Sequence, residues 1–210
     1  MQNNVAMATS TPRKRGRPIQ SESDSLRKDI IAQSAALFRS QGYANTTVRD
    51  IAAAVGIQPG SWFYHFKSKQ EILAAVVEQG LLQSLAESEA IAAQSLPPRT
   101  AFKQLVMAHL HTLHAPDHHF IAVLLYEWRS LDQPNRARII KLKDRHEAIW
   151  DQVIAALHRS GDWAMPTRLD RLLMFGAMNW SAQWYKPGAG GGLDELAEHV
   201  VRFILRTEER

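Results

Sequence analysis

Cysteine is absent from the 210 residues of this chain. Without it the protein forms no disulfide, offers zinc no thiolate ligand and has no thiol nucleophile. The sequence also lacks any apolar run near the length of a membrane-spanning helix, and its basic N-terminus lacks the apolar core of a secretory signal. These absences predict a cytoplasmic protein that does not enter a membrane.

Acidic residues are absent from the first twenty positions, which contain Arg13, Lys14, Arg15 and Arg17. Residues 21–70 hold six Lys and Arg against four Asp and Glu, whereas residues 71–210 hold 15 against 17. Positive charge is therefore concentrated in the first third of the chain. This asymmetry predicts that the first third binds a polyanion and that the remainder does something else.

Apolar residues recur at helical spacing along most of the chain, so the predicted fold class is all-α. We expect about nine helices in three parts. Residues 1–23 are predicted to be a flexible basic arm, residues 24–70 a three-helix helix-turn-helix unit, and residues 71–210 a larger helical domain. A long helix from Lys69 to about Ala93 should link the last two parts, with a flexible point at Gly80.

The stretch from Thr46 to Lys69 predicts two short helices joined by a tight turn. Thr47 and Asp50 form a capping-box pattern at the start of the first helix, and Gly56 marks its end. Pro59 suits the first turn of a second helix because that position needs no N–H donor.

On the second helix, Ser61, Tyr64 and His65 share one face, whereas Trp62, Phe63 and Phe66 are expected in the core. A helix with one anchored face and one polar face fits the DNA major groove.

The sequences GYANTTVRDIA (residues 42–52) and PGSWFYHFKSK (residues 59–69) resemble the DNA-binding domain of the tetracycline-repressor family of transcriptional regulators. The resemblance implies phosphate contacts at the start of the first short helix, groove contacts from the second, and backbone contacts beyond it. Phe63 and Gln58 depart from the family pattern, and Gln58 is a weak cap that is free to face DNA. The implied DNA-binding residues are Thr46, Thr47, Arg49, Gln58, Gly60, Ser61, Tyr64, His65, Lys67 and Lys69.

The basic arm contains Arg15-Gly16-Arg17-Pro18, which resembles the core of an AT-hook. Such a segment places arginines in narrow minor grooves, so Arg15 and Arg17 are candidate DNA contacts. The alternative is a solvated tail that attracts phosphate without sequence preference.

In the larger domain, the helix from Thr167 to Trp184 is apolar nearly all round, which predicts burial on several sides or contact with a partner subunit. The family resemblance implies a homodimer, with two recognition helices on a palindromic operator of double-stranded DNA.

Five histidines lie between residues 109 and 119, but Pro116 separates His114 from His118. A metal site is therefore not expected, nor is a cofactor, and no catalytic constellation indicates an enzyme.

Aromatic, methionine and polar residues of the larger domain are candidates for lining a small-molecule pocket, although ordinary core is the alternative for each of them. The segment from Gly176 to Pro187 also resembles regulators of lipid and steroid degradation that sense acyl-CoA thioesters. We therefore expect a repressor released by an apolar or acyl-CoA effector. The alternatives are a regulator that senses a planar hydrophobic drug and a ligand-independent architectural protein. The candidate pocket residues are Phe120, Tyr126, Trp128, Arg129, Trp150, Met174, Met178, Asn179 and Trp184.

Overall fold

The computed structural model describes residues 19–114, 119–186 and 191–206, and these residues form eight α-helices, two short 3₁₀ helices and no β-strand. The predicted all-α class is confirmed, and the 3₁₀ helices span Ser61–Tyr64 and Trp128–Ser130. The α-helices are α1 (Ile19–Gln41), α2 (Val48–Val55), α3 (Lys69–Ala92), α4 (Pro98–His114), α5 (Phe120–Glu127), α6 (Gln133–Arg159), α7 (Arg168–Trp184) and α8 (Leu193–Leu205).

Helix α1 begins at Ile19, inside the segment expected to be a flexible arm. Arg15 and Arg17 lie outside the described residues, so their contact with a minor groove stays a prediction.

Two hydrophobic cores are joined by the long helix α3. The first core contains apolar side chains of α1, α2, α5 and the first half of α3, from Ile72 to Leu81. The second core is built mainly from α4, α6, α7 and α8, and α3 contributes Leu85 to it. Because the first core includes Val123 of α5 and Ile139 of α6, packing continues across the expected division after residue 70. The helix-turn-helix unit therefore shares its core with helices of the larger domain.

Gly80 was expected to be a flexible point in α3, but the structure gives it a packing role. A Cβ atom built at Gly80 would lie 2.6 Å from the Cβ of Phe120, the first residue of α5. The missing side chain lets α3 and α5 approach closely, and α3 runs through this position without interruption.

Helix α7 is buried along only one side in the single chain, where Met174, Met178 and Ser181 are covered. Its other side exposes large apolar side chains, and Phe203 of α8 is exposed as well. The exposed residues of α7 are Leu169, Leu172, Leu173, Trp180 and Trp184.

No described helix is long and apolar enough to cross a membrane.

Candidate DNA-binding surface and effector cavity

Local hydrogen bonds define both ends of α2, as the sequence predicted. The Thr47 hydroxyl accepts from the backbone N–H of Asp50 at 3.2 Å, and the Asp50 carboxylate accepts from the backbone N–H of Thr47 at 2.7 Å. These bonds lower the pKa of Asp50 below its ordinary value because they stabilise the ionised carboxylate. At the other end, Gly56 takes a left-handed conformation with φ of 77°.

The second helix of the motif is shorter than predicted. It is one 3₁₀ turn, Ser61–Tyr64, and the chain then continues to Ser68, the N-cap of α3. Gly60 precedes the turn and supplies no side-chain cap. Four residues without a cap, three of them aromatic, provide too little propensity to extend an α-helix.

Two aromatic side chains anchor this turn. Trp62 and Phe66 are buried, and the guanidinium of Arg27 on α1 lies 4.9 Å from the centre of the Phe66 ring. The expectation that Phe63 is core is wrong, because 62% of it is exposed. It stacks on Trp62 with ring centroids 4.0 Å apart, next to Tyr64, which is 92% exposed. The turn thus presents two aromatic rings to solvent.

Thr46 was expected to contact phosphate, but its side chain is fully buried. Its hydroxyl donates to the carbonyl of Gly42 at 2.8 Å and accepts from the side-chain amide of Gln41 at 3.2 Å. The Thr47 hydroxyl is likewise engaged by Asp50, to which it donates at 2.8 Å. Both threonines therefore stabilise the chain around the start of α2, Thr46 in the preceding loop and Thr47 at the N-cap, because their hydroxyls bond within the chain.

Lys69 was also expected to contact phosphate, but it is directed into the protein. Its Nζ donates to the carbonyls of Tyr43 and Thr46, both at 2.8 Å, and lies 4.1 Å from the centre of the Tyr43 ring. The ammonium group thereby links the start of α3 to the loop between α1 and α2. Its role in the structure is to fix the position of that loop.

The remaining predicted DNA contacts lie at the surface. Ser61 and His65 are half-buried beside them. A Cβ atom added at Gly60 would meet nothing within 4 Å, so no packing inside the chain requires a glycine there. The exposed predicted contacts are Arg49, Gln58, Gly60, Tyr64 and Lys67.

A cavity of about 450 Å³ lies among the helices of the larger domain. Its lining is mostly apolar, and five α-helices and the second 3₁₀ helix contribute to it, which is the arrangement expected of a small-molecule site. The lining residues are Leu81, Ser84, His109, Ile121, Leu124, Leu125, Trp128, Lys143, His146, Glu147, Leu172, Phe175, Gly176 and Asn179.

Of the nine predicted pocket residues, Trp128 and Asn179 line this cavity. Trp150, Met174 and Met178 are buried in the second core, and Phe120 packs against Gly80. Tyr126, Arg129 and Trp184 are exposed. Trp150, Met174 and Met178 are therefore core residues, as the alternative expected. Helical spacing predicts which face of a helix is buried, but it does not show which buried face lines a cavity.

His109, His146 and Asn179 form a polar cluster in the lining, which we call the polar end of the cavity. Nε2 of His109 is 2.9 Å from Oδ1 of Asn179, and the indole N–H of Trp150 donates to Nε2 of His146 at 3.4 Å. Burial lowers the pKa of His109 to about 4, and it also lowers the pKa of His146. Both imidazoles are therefore neutral at pH 7. In the sequence, His109 and His146 each lie at helical spacing with apolar residues. This pattern is the sequence signal that could have indicated polar groups inside the domain.

The charged residues of the lining neutralise each other. The carboxylate of Glu147 pairs with Lys143 and with Arg171, and Arg171 also contacts Asp151 at 3.1 Å. Burial alone raises the pKa of Glu147, but the bonds and charges of Lys143 and Arg171 lower it below its ordinary value overall. The cavity lining thus carries one cation and one anion, joined in an ion pair.

Glu127, at the end of α5, connects the cavity wall to the helix-turn-helix unit. One carboxylate oxygen accepts from the backbone N–H of Tyr43 at 2.9 Å, and the other accepts from the Ser130 hydroxyl at 2.7 Å. Gln70 of α3 adds a second link, because its amide donates to the Ser130 carbonyl at 2.7 Å and accepts from the Asp132 N–H at 3.0 Å. Nothing in the sequence spacing indicated Glu127, since its partner lies 84 residues away.

Known proteins resemble this chain both in sequence and in fold. The chain is 26% identical over 187 residues to the HTH-type transcriptional repressor KstR2 of Mycobacterium tuberculosis, a match that covers 87% of this chain and 92% of that protein. The structure of that protein, described as a ketosteroid transcriptional regulator, superposes with a TM-score of 0.75 at 24% identity, covering 87% and 95% of the two chains.

Two further structures have the same fold. Superantigen PfiT superposes with a TM-score of 0.75 at 36% identity, covering 88% of this chain and 98% of that chain. AibR in complex with isovaleryl coenzyme A and operator DNA superposes with a TM-score of 0.77 at 18% identity, covering 85% and 97%.

Two family models match in the order that the fold suggests. The model of the tetR family of bacterial regulatory proteins matches residues 30–76, which hold α2 and the 3₁₀ turn. The model of the tetracyclin repressor-like C-terminal domain matches residues 95–207, more than half of the chain. The chain therefore belongs to the tetR family of bacterial regulatory proteins, which are DNA-binding transcriptional regulators.

Proposed function

We propose that the protein is a homodimeric repressor that binds a palindromic operator and leaves it when a small, mainly apolar effector fills the cavity. The observation that carries this proposal is the dual position of α5. This helix supplies Ile121, Leu124 and Leu125 to the cavity wall, and its last residue, Glu127, bonds to the backbone of Tyr43 in the helix-turn-helix unit.

For DNA binding, the exposed predicted contacts form the proposed reading surface. Tyr64 and Gln58 would contact base edges, with Ser61 and His65 beside them, while Arg49 and Lys67 would hold phosphates. Gly60 would let the backbone approach DNA closely. The basic arm with Arg15 and Arg17 stays a proposed minor-groove contact.

The homodimer proposal is supported by the exposed apolar side of α7 and by Phe203 of α8. A depression of about 750 Å³ lies on this face, between residues 161–165, α7 and α8. Although it is larger than the cavity, we assign it to subunit contact, because the exposed Leu173 and Phe203 line it. Large exposed apolar patches are typical of subunit interfaces.

The proposed release mechanism follows from the shared packing. An effector between α3, α5, α6 and α7 would displace α5, and Glu127 would carry that displacement to the loop before α2. Since α3 touches α5 at Gly80, the long helix would move with it. A difference of a few kcal/mol in effector affinity between two arrangements is enough to shift the population.

Two effector classes remain in competition. The apolar lining suits an acyl chain, but it offers no arginine to a coenzyme A nucleotide and only Lys143 as a cation. An acyl-CoA would therefore have to place its nucleotide outside the cavity. A planar hydrophobic compound needs no such cation, and this is the alternative.

The test begins by footprinting the protein on DNA upstream of its own gene. Fluorescence anisotropy of the footprinted fragment is then followed as octanoyl-CoA, isovaleryl-CoA or the flavonoid quercetin is added. Release by a thioester, with a matching rise in melting temperature, supports the acyl-CoA class, and release by quercetin alone supports the planar class. Binding that no compound changes, across a broad metabolite panel, would favour the architectural alternative and end the repressor proposal.

The mechanism has its own test in Glu127→Ala. This variant should bind the effector with unchanged affinity but lose most of the effector-induced release, because the bond to Tyr43 is gone. Glu89→Ala is the matched control, since Glu89 is exposed and pairs with Arg145, away from the helix-turn-helix unit. Release that is equal in both variants would contradict the proposed route through α5.

A further inference from the structure

The polar end of the cavity has a hydrogen-bonding pattern that selects one kind of ligand group. His109, His146 and Asn179 all line the cavity, and Trp150 and Phe175 lie against both histidine rings, with centroid distances between 5.0 and 6.4 Å within the group. Apart from Ser84 and the ion pair of Lys143 with Glu147, the rest of the lining is apolar, so these three residues are the main groups available to recognise a polar ligand atom.

The existing bonds determine which atoms donate. The amide oxygen of Asn179 can only accept, so Nε2 of His109 carries the proton in their 2.9 Å contact. Trp150 can only donate, so Nε2 of the neutral His146 is the acceptor and its proton lies on Nδ1. This leaves two N–H donors, the Asn179 amide and Nδ1 of His146, with no hydrogen bond to any other described residue.

We propose that the effector carries an uncharged carbonyl group, whose oxygen accepts hydrogen bonds from the Asn179 amide and from Nδ1 of His146. This inference rests on the proposed effector cavity and adds its chemical selectivity. A ketone, an ester and a thioester all fit, with the hydrocarbon body packed against Leu124, Leu125 and Phe175.

Charge argues against an anionic group at the same position. Burial lowers the pKa of both histidines, so the polar end provides neutral donors rather than a cation. The one lysine of the lining is already paired with Glu147. A carboxylate would lose its hydration without gaining a free counter-charge, whereas a carbonyl loses less and gains two donors.

The experiment compares three probes of similar size by equilibrium dialysis against the full-length protein. They are 2-decanone, 2-methyl-1-decene, in which a CH₂ group replaces the carbonyl oxygen, and decanoate. We expect the ketone to bind about tenfold more tightly than the alkene, which is the effect of one or two net hydrogen bonds. Decanoate should bind more weakly than the ketone.

Two variants locate the effect. Asn179→Leu should reduce the preference for ketone over alkene to about threefold or less, because one of the two donors is lost. Leu125→Ala is the matched control, and it should weaken ketone and alkene alike because it removes only apolar contact. Thermal melts of both variants verify folding, and the comparison of probes on the unmodified protein needs no variant.

Three outcomes separate this inference from the function on which it rests. Equal binding of ketone and alkene would overturn the carbonyl assignment while leaving the cavity as an apolar site. Decanoate binding as tightly as the ketone would overturn the requirement for an uncharged group. If none of the three probes binds, the cavity is not the effector site, and the proposed function fails with the inference.

Discussion

Tyr64 on the proposed DNA-binding surface is 92% exposed, whereas His146 in the cavity is 8% exposed. The proposed DNA-reading side chains come from one segment, residues 49–67, and nearby residues hold it with local caps and buried anchors. The cavity instead gathers side chains from residue 81 to residue 179. One site therefore depends on local sequence and the other on how distant helices pack.

The two regions also differ in what their polar groups do. On the proposed DNA-binding surface, groups such as Thr46 and Lys69 bond within the chain, and the exposed groups are the proposed DNA contacts. In the cavity, the bonded groups are themselves the proposed recognition elements, because their mutual bonds decide which atoms are left to donate. Four predictions test this contrast, from the largest expected effect to the smallest.

Lys69→Met should destabilise the protein by roughly 3 kcal/mol, because two carbonyls of the loop between α1 and α2 lose a charged donor. Urea unfolding measures the effect, and operator affinity should fall with it. Lys67→Met is the matched control, since Lys67 is exposed: its stability should stay unchanged while its DNA binding weakens and becomes less dependent on salt. If Lys69→Met leaves stability unchanged, the lysine is a DNA contact after all.

Acid should weaken the fold through the cavity histidines. The pKa of His109 is about 4 in the folded protein and near its ordinary value of 6.5 when unfolded. The unfolded chain therefore binds the proton first as pH falls, and stability is lost between about pH 6.5 and 4. From pH 7.5 to 5 we expect a loss of roughly 2 kcal/mol from this residue.

Denaturant unfolding at both pH values measures this loss, and His109→Gln should reduce it because an amide does not titrate. An unchanged pH dependence in His109→Gln would show that the imidazole is not the group responsible.

Gly60→Ala should lower operator affinity about tenfold and leave the free energy of unfolding almost unchanged, because an added methyl meets nothing in the chain but would meet DNA. Anisotropy and urea unfolding on the same preparation separate the two effects. A large loss of stability would show that the glycine serves the fold instead.

Gly80→Ala should have the smallest effect, a loss of about 1 kcal/mol, since the overlap with Phe120 outweighs the better helix propensity of alanine. Gln79→Ala, at an exposed neighbouring position, controls for helix propensity. Stabilisation by Gly80→Ala would mean that α3 and α5 separate without cost at this point.

The fold was predictable where its signals are local. Thr47 with Asp50 defined the start of α2, Gly56 its end and Trp62 with Phe66 the anchored side, because caps and helical faces involve residues only a few positions apart. The same reasoning failed for Phe63, which is exposed, and for the length of the second helix, which is a single 3₁₀ turn. There the turn has no side-chain cap and three of its four residues are aromatic, which gives too little helix propensity to extend it into an α-helix.

The sequence by itself determined the all-α class, the helix-turn-helix and the family, because these depend on periodicity, capping and a contiguous motif. Only the tertiary structure decided that Thr46 and Lys69 point inward, that Trp150 and Met178 are core, and that His109 meets Asn179 across 70 residues. The physical reason is that a helical pattern indicates which face of a helix is buried, but not which element packs against that face. The packing partner determines whether a polar group makes a structural hydrogen bond, contacts DNA or belongs to a binding site.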